Sequence, residues 1–191
     1  MPVWSNAGGH HRRQGPADVA EHGQRRLIEA DDYAAAVAVA VHVEQPEMFV
    51  GMAQRCLELM CARLSTRVAF GRPVARYTVW HERIAEARCM IDQARLLTLD
   101  AAHKMDTVGN KAARGIIAMI KITAPVMACR VIDRAIQVHG ALGITDDTLL
   151  SFWYRHERGA RIYDGADEVH KSSVARRILK GYGYSKKNAG S

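Results

Sequence analysis

Residues Thr78–Val108, TVWHERIAEARCMIDQARLLTLDAAHKMDTV, set the fold class of this chain. Trp80, Ile84, Ala87, Ile91, Ala94, Leu97, Ala101 and Met105 recur at spacings of three and four, which line one face of an α-helix. Arg83, Glu86, Asp92 and Arg95 fall mostly off that stripe, and Thr78 is a capping candidate at its start. Gly109-Asn110 closes the segment, since glycine ends helices in a left-handed conformation without a Cβ penalty.

The same period extends outward on both sides. Upstream, a helix is predicted from about Pro46 to Thr66, with Phe49, Met52, Ala53, Cys56, Leu57, Met60 and Leu64 on its buried face. Phe70-Gly71-Arg72-Pro73 breaks that pattern. Downstream, a helix from about Lys111 to His139 buries Ile116, Met119, Ile120, Thr123, Met127, Arg130 or Val131, and Ile132 to Ile136. Pro125 lies inside it; the apolar pattern continues through, so one kinked helix is expected rather than two. Gly140-Ala141-Leu142-Gly143 ends it, a short helix follows from about Asp147 to Arg158, and a last one runs to about Lys180. No convincing alternating strands appear from Pro46 onward. The fold is therefore an all-α, antiparallel four-helix-type bundle with short connections, spanning 46–181. Residues 1–45 read as a disordered or irregular N-terminal arm, rich in Gly, His, Arg and Pro at its start, and 182–191 as a frayed tail.

Composition narrows the function. At 191 residues the chain has room for one sizeable domain, and 48% hydrophobic with 25% charged residues is ordinary for a soluble globular protein. Four cysteines, Cys56, Cys61, Cys89 and Cys129, lie in apolar helical runs without metal-ligand spacing, which points to buried thiols in a reducing cytosol. No metal site is expected; the histidines of the arm, His10, His11 and His22, are scattered in a polar tail. The longest uncharged apolar run, Tyr33 to Val43, is too short to span a bilayer, so neither a membrane span nor a membrane partner is expected. A net charge of +7 favours an anionic partner, but the basic segment Arg155 to Arg161 has no aromatic platform or reading motif for nucleic acid.

One short stretch carries chemistry. Ile162-Tyr163-Asp164-Gly165-Ala166-Asp167-Glu168-Val169-His170 puts a carboxylate on a glycine turn just before a basic helix. Read locally, Asp164 or Asp167 is an N-cap accepting backbone N–H bonds at the positive end of the helix dipole. Read as a site, the short turn suits a positioned base.

Four motifs in order then resemble one family over about Val50 to Lys180. Arg67-Val68-Ala69-Phe70-Gly71-Arg72-Pro73 resembles the R-x-x-F-G-x-P turn of acyl-CoA dehydrogenases. Ala135-Ile136-Gln137-Val138-His139-Gly140-Ala141-Leu142-Gly143 resembles their A-x-Q-x-x-G-G-x-G segment. Ile162 to Ala166 resembles their I-Y-E-G-T turn, and Val174-Ala175-Arg176 the V-A-R of the final helix. Asp164-Gly165-x-Asp167-Glu168-Val169-His170 is similar to the branch fused in animals to a kinase-like domain.

The resemblance implies removal of the α-proton of a saturated acyl-CoA by a carboxylate while FAD accepts hydride from the β-carbon, giving a 2-enoyl-CoA. The base position falls on Asp164. By the same resemblance Arg67 would pair with the FAD pyrophosphate, Phe70 would pack on the nucleotide half, and Gln137 and Gly140 would meet the cofactor across a subunit interface. Ala166 and Glu168 complete the cofactor set. An acyl-CoA substrate, an electron-transfer flavoprotein and a homo-oligomer are the implied partners. Ala141 replaces the second glycine of the family segment, and Ala166 replaces its Thr. The residues ahead of Pro46 do not resemble the family, whose members add an N-terminal helical domain and a β-domain. Two readings follow: a shortened dehydrogenase needing partner domains, or a non-catalytic remnant or oligomerisation module.

Overall fold

A computed structural model describes residues 45–184, and they form a helical bundle. Helix α1 (45–66) is followed by a small hairpin of β1 (Val68–Ala69) and β2 (Arg72–Pro73), and a 3-10 turn at Val74–Arg76. Helices α2 (Thr78–Val108) and α3 (Asn110–His139) form a long pair. A 3-10 segment (Gly140–Ile144) then leads to α4 (Leu150–Gly159) and α5 (Asp167–Gly181). The arm expected over 1–45 and most of the expected tail, 185–191, lie outside the described residues; Gln45 already belongs to α1.

The apolar stripes explain the packing. Phe49, Ala53, Cys56, Leu57, Met60 and Leu64 of α1 meet Ala87, Ile91 and Ala94 of α2 and Ala124, Met127, Val131, Ile132 and Ala135 of α3 in one core. Fully burying a side chain such as Phe49, Ile91 or Ile132 stabilises the fold by about 1.5–3 kcal/mol. A second cluster, Ala101 with Ala113, Ile116, Ile117 and Ile120, closes the α2–α3 end. Polar contacts fix the antiparallel order. Arg88 of α2 donates to Gln54 of α1 at 2.6 Å, and Arg134 of α3 pairs with Glu86 near the start of α2.

Several expectations change. Thr78 is the first residue of α2 and Tyr77 its N-cap, with no side-chain cap. Helix α4 begins at Leu150, because Thr145 and Asp147 bond each other in a bend ahead of it. The Phe70-Gly71 breaker is a two-residue hairpin turn, with Phe70 at φ 52° and Gly71 at φ 76°, the positive pair that suits strand twist. Met119 and Asp133, placed on the buried face, are exposed, and of the alternatives Arg130 and Val131 it is Val131 that turns inward. Of the four free cysteines, Cys56 and Cys129 are buried, Cys61 is half-buried and Cys89 is exposed.

Pro125 sits buried inside a continuous α3, where it leaves the Lys121 carbonyl without its helical donor. The span Asn110–Ile144 is long and apolar enough to cross a membrane by length and composition, its most apolar 18-residue window having a mean hydropathy of 1.8. Yet 67% of its most apolar window is buried inside the bundle, as befits a core helix.

Candidate active site

The turn between α4 and α5 is clamped at its base. Arg161 Nε donates to Asp167 Oδ2 at 2.8 Å, and the Asp167 N–H donates to the Arg161 carbonyl at 3.2 Å. Asp167 is 3% exposed and also faces Lys171 Nζ at 3.9 Å. It is the first residue of α5, so it is no N-cap; that place falls to Ala166, at φ −63° and ψ 155°. The local reading of Asp164 as a cap fails too. The carboxylate of Asp167 serves the ion pair, and Asp164 stands two residues ahead of the true N-cap.

Between the clamp residues the chain makes two left-handed steps, Asp164 at φ 53° and Gly165 at φ 97°. The first is uncommon for a residue with a side chain. The second favours glycine by its φ, and a Cβ there would also lie 2.7 Å from His170 Nε2, so the imidazole would have to shift. His170 Nε2 also lies 3.3 Å from the Asp164 carbonyl oxygen, donating in the tautomer that carries the proton on Nε2.

The Asp164 carboxylate is on the exposed side of the turn. Gln45 Nε2 donates to its Oδ2 at 3.3 Å, and Gln45 Oε1 accepts from Lys121 Nζ at 3.1 Å. Lys121 is 1% exposed, and its ammonium lies 5.0 Å from the centre of the Tyr163 ring. Burial lowers the Lys121 pKa, against the pull of Asp164 and Asp167. Burial raises that of Tyr163, helped by the negative charges of Glu157 and Asp164. Sequence reasoning gave Lys121 no role and left Gln45 in the arm. A signal was present, since Lys121 is the one charge between Arg114 and Arg130 in an otherwise apolar run.

The expected residues fall into two groups. Ala166, half-buried, and Glu168, exposed in the first turn of α5, surround the Asp164 turn. Arg67, Phe70, Gln137 and Gly140 lie at the other end of the bundle. Helices α1 and α3 both run antiparallel to α2, so their C-terminal ends lie together. Gln45 of α1 lies beside Asp164, whereas Arg67, just past the end of the same helix, is about 33 Å away at 1.5 Å per residue. Phe70, at the hairpin tip, is 96% exposed, and Gln137 is exposed on the last turn of α3. Gly140 is the C-cap of α3, with φ 63° and its N–H directed to the Gln137 and Ile136 carbonyls. A cavity of about 420 Å³ opens beside the clamp, lined by Met127, Arg130, Arg161 and Lys171 among others; Asp164 does not line it.

Comparison with known proteins identifies the domain. Residues 45–179 match the acyl-CoA dehydrogenase C-terminal domain. The protein described as "Probable acyl-CoA dehydrogenase FadE2" of Mycobacterium tuberculosis is 56% identical over 130 residues, covering 68% of this chain and 32% of that protein. Acyl-CoA dehydrogenase family member 11 of Rattus norvegicus is 47% identical over 131 residues, 69% of this chain and 17% of its own length. The acyl-CoA dehydrogenase of Geobacillus kaustophilus shares the fold, with a TM-score of 0.70 at 23% identity over 76% of this chain and 38% of that one. The chain thus spans about a third or less of the length of these curated relatives. A domain match over residues 45–179, from the first described residue of α1 into α5, places the chain in the acyl-CoA dehydrogenase family, as its C-terminal helical domain.

Proposed function

We propose that this chain provides the C-terminal bundle of an FAD-dependent acyl-CoA dehydrogenase, with Asp164 as the base that removes the α-proton of a saturated acyl-CoA. The observation that carries this reading is the turn itself. A carboxylate is exposed from a left-handed backbone step that an ion pair and a backbone hydrogen bond hold shut beneath it. Strained steps of this kind cluster at functional sites and cost about 1–3 kcal/mol, so a fold that keeps one over-determines it. A base must be held where the proton will be, and such a turn supplies that.

The far end of the bundle fits the nucleotide half of FAD. Arg67 is exposed and has no side-chain hydrogen bond or ion pair among the described residues, so its guanidinium is available to a diphosphate. Phe70 presents an exposed aromatic face, and Gly140 leaves open space where a Cβ would meet nothing within 4 Å. When bound, FAD accepts the hydride from the β-carbon. The chain's own residues bind its diphosphate and take the proton onto an Asp164 carboxylate oxygen. Because Asp164 and Arg67 stand at opposite ends, they serve cofactors in different subunits, and a homo-oligomer is the working form. Reoxidation by an electron-transfer flavoprotein completes the proposed cycle.

The test is flavin binding. The purified chain is titrated with FAD, alone and with the two domains that full-length relatives carry ahead of this one. Bound flavin absorbance in the combined sample, lost in Arg67→Ala, supports the reading. Flavin-free protein under both conditions overturns it in favour of a non-catalytic bundle.

A further inference from the structure

A lysine ammonium at 1% exposure needs a physical reason, because an incompletely compensated buried charge is destabilising. Lys121 has no other charged residue of α3 near it in sequence from 115 to 129. Its surroundings come from other elements. Gln45 of α1 accepts its hydrogen bond at 3.1 Å, and Tyr163 of the turn offers its ring face at 5.0 Å. Asp164 of the turn and Asp167 of α5 act on it as charges that favour the ammonium. Asp167 is already engaged by Arg161 at 2.8 Å and faces Lys171 at 3.9 Å.

The chemistry of the Gln45 amide turns this cluster into a relay. An ammonium only donates hydrogen bonds, so it selects the carbonyl end of the carboxamide. The NH₂ end is thereby turned away from Lys121, and in the structure it donates to Asp164 Oδ2 at 3.3 Å. The carboxylate favours the same orientation, since the flip would set an oxygen against it, but without the cation the amide keeps only that one anchor, at 3.3 Å, and loses the contact that fixes its carbonyl end. We propose that Lys121 is a positioning residue: through Gln45 it aims a donor at the Asp164 carboxylate, and through the Tyr163 ring it pins the turn that carries it. This deepens the reading of Asp164 as the base and rests on it for its purpose. An aspartate is one methylene shorter than the glutamate of most family members, so a fixed carboxylate matters more here.

The relay is read by NMR on the isotopically labelled full chain, without flavin or substrate. In the wild type the Gln45 side-chain amide protons are protected from exchange, and Lys121→Met removes that protection. Coupling is reciprocal, so Asp164→Asn moves the Lys121 Nζ titration midpoint downward, because one of the carboxylates sustaining its charge is gone. Asp133→Asn, on the exposed face of α3, leaves the midpoint in place. A Gln45 amide unchanged in Lys121→Met, or a Lys121 midpoint unmoved by Asp164→Asn, overturns the proposal. If Lys121→Met does not fold, Gln45→Leu reads the same link from its other side and lowers the Lys121 midpoint; an unmoved midpoint there also overturns it. Failure to bind FAD sinks the assignment of Asp164 as base and leaves the relay measurement standing.

Discussion

Arg161 and Asp167 hold hands across the loop that carries Asp164: the guanidinium Nε donates to the buried carboxylate at 2.8 Å, while their backbones bond at 3.2 Å. The side chain of Asp167 is 4% exposed and that of Arg161 31%. Removing the carboxylate leaves a part-buried guanidinium without its partner, a loss of about 1.5–3 kcal/mol for a hydrogen bond to a charged group. Asp167→Ala is therefore expected to lower stability by about 2 kcal/mol in denaturant unfolding. A loss below about 0.5 kcal/mol, the range of ordinary surface substitutions, rules out the clamp.

Ala166 offers a gain. It occupies the N-cap of α5 with extended backbone angles but no side-chain oxygen to accept a first-turn N–H. Ala166→Thr supplies that oxygen and is expected to stabilise the chain by about 1 kcal/mol. Thermal unfolding of the two proteins side by side decides the matter, and an equal or lower Tm in the variant counts against the cap geometry.

Alkaline pH acts through Cys56. Burial pushes its thiol up to about 12 from an ordinary 9.0, so the folded state keeps a proton that the unfolded state releases. Its contribution is fully present below pH 9.0 and is lost progressively as pH rises toward about 12. The slope for one such group reaches about 1.4 kcal/mol per pH unit. Tyr163, also raised, acts in the same sense at higher pH, whereas Lys121, lowered, acts in the opposite one. Stability measured from pH 8 to 11 in wild type and in Cys56→Ala isolates the thiol; parallel curves would falsify the assignment.

In the flavin-loaded assembly, Asp164→Asn is expected to keep the fold and abolish acyl-CoA oxidation. The amide is close to isosteric but cannot take up the α-proton. The drop should be at least the ~10²-fold characteristic of general-base removal. Wild-type turnover in the variant takes Asp164 out of the mechanism.

Helix α5 buries only Asp167 within the chain and exposes Val169, Ile178, Leu179 and, just beyond it, Tyr182. Val169 lies on the opposite side, but Ile178, Leu179 and Tyr182 share one face, and a contiguous exposed apolar patch marks a contact surface. The chain is expected to sediment as a dimer or larger at micromolar concentration, and Ile178→Lys to shift it toward monomer. A wild-type boundary at the monomer position removes the surface from consideration.

Much of the bundle was readable from periodicity. The stripe from Trp80 to Met105 located α2, with Thr78 inside the helix rather than capping it, and the α1 stripe from Phe49 to Leu64 is buried apart from half-exposed Met52. Where two residues competed for one helical face, spacing alone could not decide, and Val131 rather than Arg130 went inward. The Phe70-Gly71 hairpin escaped because a two-residue turn with two-residue strands has no period to detect. Asp164 was visible as a carboxylate beside glycine. Lys121 was not given a role, because a lone cation in an apolar helix acquires its partners only from α1 and the α4–α5 turn.

What the chain's residues determined alone is which segments coil and which faces they hide, since both follow from local propensity and a repeat of about 3.6 residues. The family, too, was written in its motifs. Tertiary structure decided the rest. It set Asp167 against Arg161 instead of the α5 backbone, placed Gln45 between Lys121 and Asp164, and sent Arg67 and Asp164 to opposite ends of the bundle. Those relationships join residues up to 119 positions apart, and only the packing of whole helices brings such partners within hydrogen-bond reach.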